Sequence, residues 1–96
     1  MVRISGFIWL DRFVEKLEVK HDVTVEEVEG IFRNHAGLQV RKMNRGRHRD
    51  EHVYRALGRA VAGRYLAVFF ILKRTNEALV ISARDMDDKE RRSYAR

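Results

Sequence analysis

The sequence predicts an α+β fold in which an N-terminal strand and two helices precede a four-stranded antiparallel meander and a C-terminal helix. Two segments with helical spacing occupy the first third of the chain, and four strand-like segments then follow without a helical segment between them. Strands that are segregated from helices along a chain favour an antiparallel sheet with helices packed on it. Because 96 residues can bury one hydrophobic core, we expect a single domain over residues 1–96.

The N-terminal elements follow from apolar spacing. Residues 4–10 alternate as an opening strand does, and Asp11 is the expected N-cap of a first helix. Thr24 and Glu27 form a capping box that starts a second helix. The apolar face of the first helix consists of Leu10, Phe13, Val14 and Leu17, and that of the second of Val25, Val28, Ile31 and Phe32.

The rest of the chain predicts the meander. Residues 38–43 and 52–60 alternate as strands, and the polar, basic residues 44–50 between them predict a mobile loop. Residues 65–72 are apolar on both faces and predict the buried central strand. Residues 78–84 predict the last strand, and residues 85–88 cap a helix that runs to the end of the chain.

The positive charge is concentrated in one segment. Residues 40–64 hold eight Lys or Arg and two acidic residues, so this segment carries +6, which equals the net charge of the whole chain. A surface that neutralises phosphates explains this clustering, and RNA is the first choice of polyanion. The alternative is a charged loop that serves solubility.

The composition excludes several classes of site. Cysteine is absent, which excludes disulfides and thiolate metal sites, and the four histidines form no i, i+4 pair on a predicted helix. No nucleotide-binding glycine loop or nucleophile elbow occurs, so we expect no metal and no cofactor. The start of the chain lacks the long apolar stretch of a signal peptide, and the longest apolar run is too short to span a bilayer. We therefore expect a cytoplasmic protein without membrane contact.

Two positions could handle protons. Lys20 and His21 are neighbours in the short corner between the helices, and imidazole titrates near neutral pH. The alternative is a histidine that faces solvent in a loop. The Tyr94 hydroxyl could also serve an active site, although a packed tyrosine is the alternative.

Four arginines could converge on a phosphodiester. Arg55 and Arg59 share one side of a predicted strand, Arg64 follows across the turn, and Arg84 ends the last strand. Guanidinium groups grip phosphate oxygens bidentately. The alternative is ion pairing with Glu51, Asp85 or Asp88.

Three ordered blocks resemble a known family. Residues 20–28, KHDVTVEEV, are similar to the family's KHGV-S-x-EEV corner. Residues 54–59 with Gly63 and Arg64 resemble its GR…GR hairpin, and residues 81–84, ISAR, with Glu90, Arg91 and Tyr94 resemble its ISAR…ER-x-x-Y ending. The family is that of the BrnT toxins of type II toxin–antitoxin pairs. The resemblance implies a RelE-like fold and ribonuclease activity.

The resemblance also implies roles for residues. A metal-independent endoribonuclease needs a base for the attacking 2′-hydroxyl, cations for the phosphorane and an acid for the leaving oxygen. We assign proton transfer to His21 with Lys20, with Glu51 as the alternative base and Tyr94 as a further candidate. Arg59, Arg64 and Arg84 are assigned to the phosphorane. The residues assigned to the RNA backbone are Arg41, Lys42, Arg45, Arg47, Arg49 and Arg55.

The implied partner is an antitoxin of the BrnA type, a ribbon-helix-helix protein, and DNA would be contacted only through that antitoxin. Two departures stand out. The family's Trp-Asp-Pro is replaced by Trp9-Leu10-Asp11, and Asp22 replaces a glycine at a position that implies an unusual backbone angle. The alternatives to a ribonuclease are a non-catalytic basic nucleic-acid-binding module, such as an inactive toxin homologue, and a structural interaction protein.

Overall fold

The secondary structure follows the predicted order. The structure, a computed structural model, describes residues 3–48 and 51–95, with side chains for all of these except residues 35, 44–48 and 51. The elements are β1 (Gly6–Ile8), α1 (Asp11–His21), α2 (Val25–Arg33), a 3₁₀ turn (His35–Gly37), β2 (Gln39–His48), β3 (Glu51–Arg59), β4 (Tyr65–Leu72), β5 (Glu77–Asp85) and α3 (Asp88–Tyr94). The predicted α+β fold is confirmed. Within these ranges no helix is both long and apolar enough to cross a membrane.

The strands of the described ranges form one sheet in the order β1-β5-β4-β3-β2. Strands β2 to β5 pair antiparallel in succession, which is the predicted meander. Strand β1 pairs parallel with β5, with Gly6 opposite Glu77, and the sequence did not indicate this pairing. The two helices α1 and α2 therefore carry the chain from one edge of the sheet to the other.

The main core lies between one face of the sheet and helices α1 and α2. Strand β4 supplies Leu66, Val68 and Phe70 to it, as expected for the central strand. Helix α2 approaches β3 closely at Gly58, where an added Cβ would lie 2.8 Å from the Cβ of Ile31. The other core residues are Leu17, Val23, Val28, Ile31, Phe32, Ala56, Ala60, Ala78, Val80 and Ala83.

A smaller cluster lies on the opposite face of the sheet, under α3. Leu57, Ala67 and Met86 are buried there, and Tyr65, Phe69 and Tyr94 pack against them. Helix α3 begins with a capping box in which Asp87 accepts from the Glu90 amide at 2.7 Å. The cap thus falls within the predicted residues 85–88.

The corner between α1 and α2 is tight. The Thr24–Glu27 capping box is present, as predicted. Helix α1 extends to His21, so Lys20 and His21 lie in its last turn rather than in the corner where they were expected. Asp22 then adopts the left-handed conformation with φ 53°. The unusual backbone angle expected at Asp22 is confirmed.

Three predicted boundaries were wrong. Asp11 is the first helical residue and Leu10 is the N-cap, because the Leu10 carbonyl accepts the first helical hydrogen bond and no side chain caps this end. Strand β1 is shorter than residues 4–10, since it pairs with β5 over three residues. Residues 44–48 belong to β2 rather than to a loop, because β2 pairs with β3 again where His48 lies opposite Glu51, beyond a shift in register that follows Met43.

Candidate functional site

Arginines line the sheet face that α3 only partly covers. Arg41, Arg55, Phe69 and Ser82 are register partners across β2, β3, β4 and β5. In the adjacent register row Arg84 lies opposite Ala67, on the same face. The guanidinium Cζ of Arg84 lies 5.3 Å from the centre of the Phe69 ring. We call the surface formed by Arg41, Arg55, Phe69, Arg84 and Glu90 the arginine face.

A buried carboxylate holds two of these arginines. Glu90, which is 5% exposed, accepts from Arg84 Nη1 at 2.7 Å and from Arg84 Nη2 at 3.1 Å. It also accepts from Arg55 Nη1 at 3.5 Å and from the Asp87 amide at 2.9 Å. These hydrogen bonds satisfy a carboxylate that would be unfavourable to bury alone. The hydrogen bonds that Arg84 donates to Glu90 raise the pKa of Arg84, so this cation stays charged.

A second feature, which we call the end groove, lies at the end of the sheet. It is a depression of about 360 Å³ lined by Gly63, Arg64, Tyr65, Asp85, Met86 and Arg91. Arg64 Nε donates to Asp85 Oδ1 at 2.6 Å, and Arg64 Nη2 donates to Asp85 Oδ2 at 3.2 Å. The hydrogen bond from Arg64 lowers the pKa of Asp85, and the proximity of His21 lowers it further.

Arg64 also holds the end of α1. Its Nη2 donates to the His21 carbonyl at 2.9 Å, and its Nη1 donates to the Asp22 carbonyl and to Glu27 Oε1 at 3.4 Å. These carbonyls belong to the helix terminus, where no intrahelical donor is available. Arg64 therefore joins the corner that carries His21 to the end of β5.

The arginines of the two features differ in how many of their N–H groups donate to a protein acceptor. A guanidinium has five N–H donors. All five of Arg64 have protein acceptors. Arg84 makes three such bonds and Arg55 one within the described chain. Arg84 and the terminal nitrogens of Arg55 thus keep donors for an incoming anion, whereas Arg55 Nε is buried without an acceptor and Arg64 keeps no donor.

Tyr65, which lines the end groove, contacts two exposed cations. The Cζ atoms of Arg59 and Arg91 lie 5.1 Å and 4.2 Å from the centre of its ring. The Tyr94 ring meets Tyr65 edge-on at 6.0 Å. Because the Tyr94 hydroxyl donates to the Gly37 carbonyl, Tyr94 also ties α3 to the 3₁₀ turn.

The predicted site residues fall into separate groups. Arg41, Arg55 and Arg84 lie together on the arginine face, and Arg64 lines the end groove, with the His21 carbonyl as one of its acceptors. Lys20 is exposed in the last turn of α1, and Lys42 alternates to the other side of β2 from Arg41. The side chains of Arg45, Arg47 and Glu51, and the whole of Arg49, lie outside the described residues.

The sequence reasoning did not assign roles to Glu90, Tyr65 and Arg91. The Asp87-x-x-Glu90 spacing of a capping box was a usable signal for Glu90, since it fixes that carboxylate at the start of α3. Asp85 was considered as an ion-pair partner and does pair with Arg64. Within the described residues no group of three or more His, Asp or Glu side chains is arranged to hold a metal ion.

The fold and the site define a small α+β protein with a preorganised, positively charged sheet face. The chain belongs to the BrnT family, described as the ribonuclease toxin, BrnT, of type II toxin–antitoxin systems, because the family profile matches residues 13–90. Membership in this family implies an RNA target and an antitoxin partner.

The structural comparison agrees on the fold. The chain is similar to the crystal structure of the Brucella abortus ribonuclease toxin, BrnT, with a TM-score of 0.61 and 19% sequence identity. The match covers 86% of this chain and 97% of that chain. No curated protein matches the chain in sequence.

Proposed function

We propose that this protein is the toxin of a type II pair and cleaves RNA internally by attack of a 2′-hydroxyl on the adjacent phosphate, without a metal ion. The observation that carries the proposal is the pairing of Arg55 and Arg84 with one buried carboxylate, Glu90. One carboxylate cannot neutralise two guanidinium groups, and exposed Arg41 lies directly across from Arg55. The arginine face therefore keeps a net positive charge and fixed donors.

The fixed donors suit the transition state of phosphodiester cleavage. The phosphorane carries more negative charge than the ground-state phosphate, so donors already in position stabilise it selectively. Arg84 and Arg55 provide these donors, because Glu90 limits their motion while leaving N–H groups unoccupied. Arg41 holds the neighbouring RNA backbone, and Arg59 supplies a further cation beside Tyr65.

Proton transfer completes the reaction. The base takes the proton of the 2′-hydroxyl as the 2′-oxygen bonds to phosphorus, and the acid gives a proton to the 5′-oxygen as its bond to phosphorus breaks. The products are a 2′,3′-cyclic phosphate and a free 5′-hydroxyl. We assign these transfers to His21 with Lys20, and Glu51 remains the alternative base.

One hydrogen bond and one electrostatic interaction support a link between His21 and the arginine face. Arg84 Nη1 donates to the Asp85 carbonyl at 3.0 Å, and the Asp85 carboxylate lies within electrostatic range of His21. Arg64, whose donors are all occupied, acts in this proposal as a positioning residue that holds the His21 end of α1. Tyr94 acts similarly by holding α3 against the 3₁₀ turn.

We propose the same partner and the same cellular location that the sequence predicts. The antitoxin is of the ribbon-helix-helix BrnA type, and it covers the arginine face with acidic side chains, since complementary charge favours such an interface. DNA is contacted through the antitoxin. The toxin acts in the cytoplasm, where its RNA target is present.

The test compares two substrates and two variants in EDTA. Purified protein should cut an RNA oligonucleotide and leave a 2′,3′-cyclic phosphate, and a 2′-deoxy substitution at the cut position should abolish cleavage there. Arg84→Ala should lower the cleavage rate about 100-fold or more, as expected for loss of one transition-state donor. Arg12→Ala, which removes an exposed arginine of α1, is the matched charge control and should cleave as wild type.

Other outcomes identify the alternatives. Saturable RNA binding without cleavage by folded wild type would support the non-catalytic binding module. Cleavage that stops in EDTA and resumes with added Mg²⁺ would contradict the metal-independent reaction. Equal losses in Arg84→Ala and Arg12→Ala would remove the specific role given to the arginine face.

A further inference from the structure

Helix α2 contains a glycine that its packing does not require. Gly30 lies inside the helix, where only proline is a poorer helix former. A Cβ added at Gly30 would meet no atom within 4 Å, apart from chain neighbours and the helix backbone. Gly58 differs, because a Cβ there would collide with Ile31. The space above Gly30 therefore calls for another explanation.

That space is a cavity of about 380 Å³ between α2 and the turn that joins β3 to β4. Its lining residues are Gly30, Asn34, Arg59, Ala60, Val61, Ala62 and Gly63. The turn contributes small or apolar groups, and Val61 is 98% exposed.

Two polar groups border the cavity and have capacity to bind. The Asn34 side-chain amide has no hydrogen-bond partner within the described residues, and it lies one helical turn beyond Gly30. Arg59 donates through Nε to the Gly63 carbonyl at 3.3 Å and has no carboxylate partner in the described chain. The cavity thus combines apolar walls, an amide with one donor and one acceptor group, and a cation.

We propose that this cavity is a subsite for one nucleobase of the RNA substrate, an inference that rests on the proposed function. The base packs on the apolar turn and over Gly30, because a side chain at position 30 would occupy that space. The Asn34 carboxamide pairs with the base edge, where donors and acceptors lie side by side. Arg59 contacts the adjoining phosphate.

The location joins this subsite to the end groove. Gly63 borders both depressions, and its φ of 97° lets the turn separate them without a side chain. Arg59 reaches from the subsite to Tyr65, which lines the end groove. An RNA strand bound across the arginine face therefore has one base position at this end of the sheet. The base held at that position determines which RNA sequence is cleaved.

The test either fills the subsite with a larger side chain or removes its polar side chain, and it measures how well the protein discriminates between bases. Wild-type cleavage is first mapped on RNAs that differ by one base at each position around the cut. We expect about tenfold or greater discrimination at one position, as one bidentate side-chain–base pair provides. Gly30→Leu and Asn34→Ala should reduce it to about twofold or less and leave cleavage of the disfavoured RNAs in place.

Gly30→Ala provides the folding control. It should raise the unfolding temperature by roughly 4–8 °C, because alanine favours the helix and meets no neighbour. If Gly30→Leu fails to fold, Asn34→Ala decides. Wild-type discrimination in a folded Gly30→Leu and in Asn34→Ala would overturn the subsite, and so would a loss of antitoxin binding without loss of discrimination.

A failure of the proposed function can be distinguished from a failure of the subsite. If wild type cuts no RNA, discrimination is measured as the ratio of dissociation constants for 2′-deoxy-substituted oligonucleotides. Loss of that ratio in the two variants would support the subsite although catalysis is absent, and its persistence would overturn the subsite.

Discussion

Arg84 and Arg64 are both held by a carboxylate, but they differ in what their partners leave free. Glu90 is buried and shared between Arg84 and Arg55, so two cations remain under-neutralised on the open sheet face. Arg64 contacts two carboxylates and two helix-end carbonyls, and these use all its N–H groups. Both arginines carry one positive charge. They differ in how many of their N–H donors already have a protein acceptor.

This comparison suggests different consequences for neighbouring arginines. A change on the arginine face should alter catalysis, whereas a change at Arg64 should alter the packing of α1 against the end of β5.

Glu90→Gln removes the shared carboxylate. We expect the free energy of unfolding to fall by about 2–3 kcal/mol, because two guanidinium groups lose their charged acceptor. The cleavage rate should fall roughly 10-fold to 100-fold as the arginines lose their fixed positions. Urea unfolding and single-turnover cleavage measure the two effects.

This variant separates the effect of the arginine positions from the effect of the net charge of the protein. Glu90→Gln makes the protein more positive, so RNA affinity at low salt should not fall. A variant as stable and as active as wild type would contradict the role given to Glu90.

Arg64→Lys tests the other region. An ammonium group cannot span Asp85 and the two carbonyls, so unfolding free energy should fall by about 1–2 kcal/mol. RNA affinity should stay unchanged, because Arg64 has no donor for phosphate. Urea unfolding and a salt titration of RNA binding measure these quantities. Weaker RNA binding with unchanged stability would reverse the assignment.

Asp22→Gly should stabilise the corner that Arg64 holds. Asp22 adopts φ 53°, which glycine adopts without a Cβ penalty, and the backbone carbonyl that accepts from Arg64 is retained. We expect the unfolding free energy to rise by about 0.5–1 kcal/mol. A decrease, measured by urea unfolding, would mean that the Asp22 carboxylate itself is needed.

The pH dependence of stability gives the smallest effect. Arg64 lowers the pKa of Asp85 in the folded state, so its contribution is fully present above the ordinary aspartate pKa of about 3.9. It is lost as pH falls through the lower folded pKa. The stability difference between wild type and Asp85→Asn should therefore shrink below about pH 4. A difference that is constant down to pH 2 would exclude this linkage.

Local patterns predicted much of the fold. Residues 65–72 were correctly bounded because a strand buried on both faces is apolar throughout, and Thr24 capped α2 because its spacing to Glu27 is a local signal. The continuation of β2 to His48 was missed because pairing with β3 overrides the polar, glycine-containing sequence. The parallel pairing of β1 with β5 was missed because it depends on strands far apart in sequence.

The sequence predicted several residues of the site, but it did not predict which side chains pair with each other. Alternation along β3 placed Arg55 and Arg59 on one side of the strand, and the structure shows that this side is opposite the main core. The shared role of Glu90 depends on how α3 docks across β3 and β5, and no local spacing encodes that docking. The same limit hid the five contacts of Arg64, whose acceptors lie on three separate elements.

The most direct measurement follows the arginine Nε–Hε NMR signals of wild type as an RNA with a 2′-deoxy cut position is added. The account predicts that the signals of Arg55 and Arg84 shift as RNA saturates the protein, while the signal of Arg64 stays in place. A large shift of Arg64 with unmoved signals for Arg55 and Arg84 would contradict it, since RNA phosphate would then be held at the end groove rather than on the arginine face.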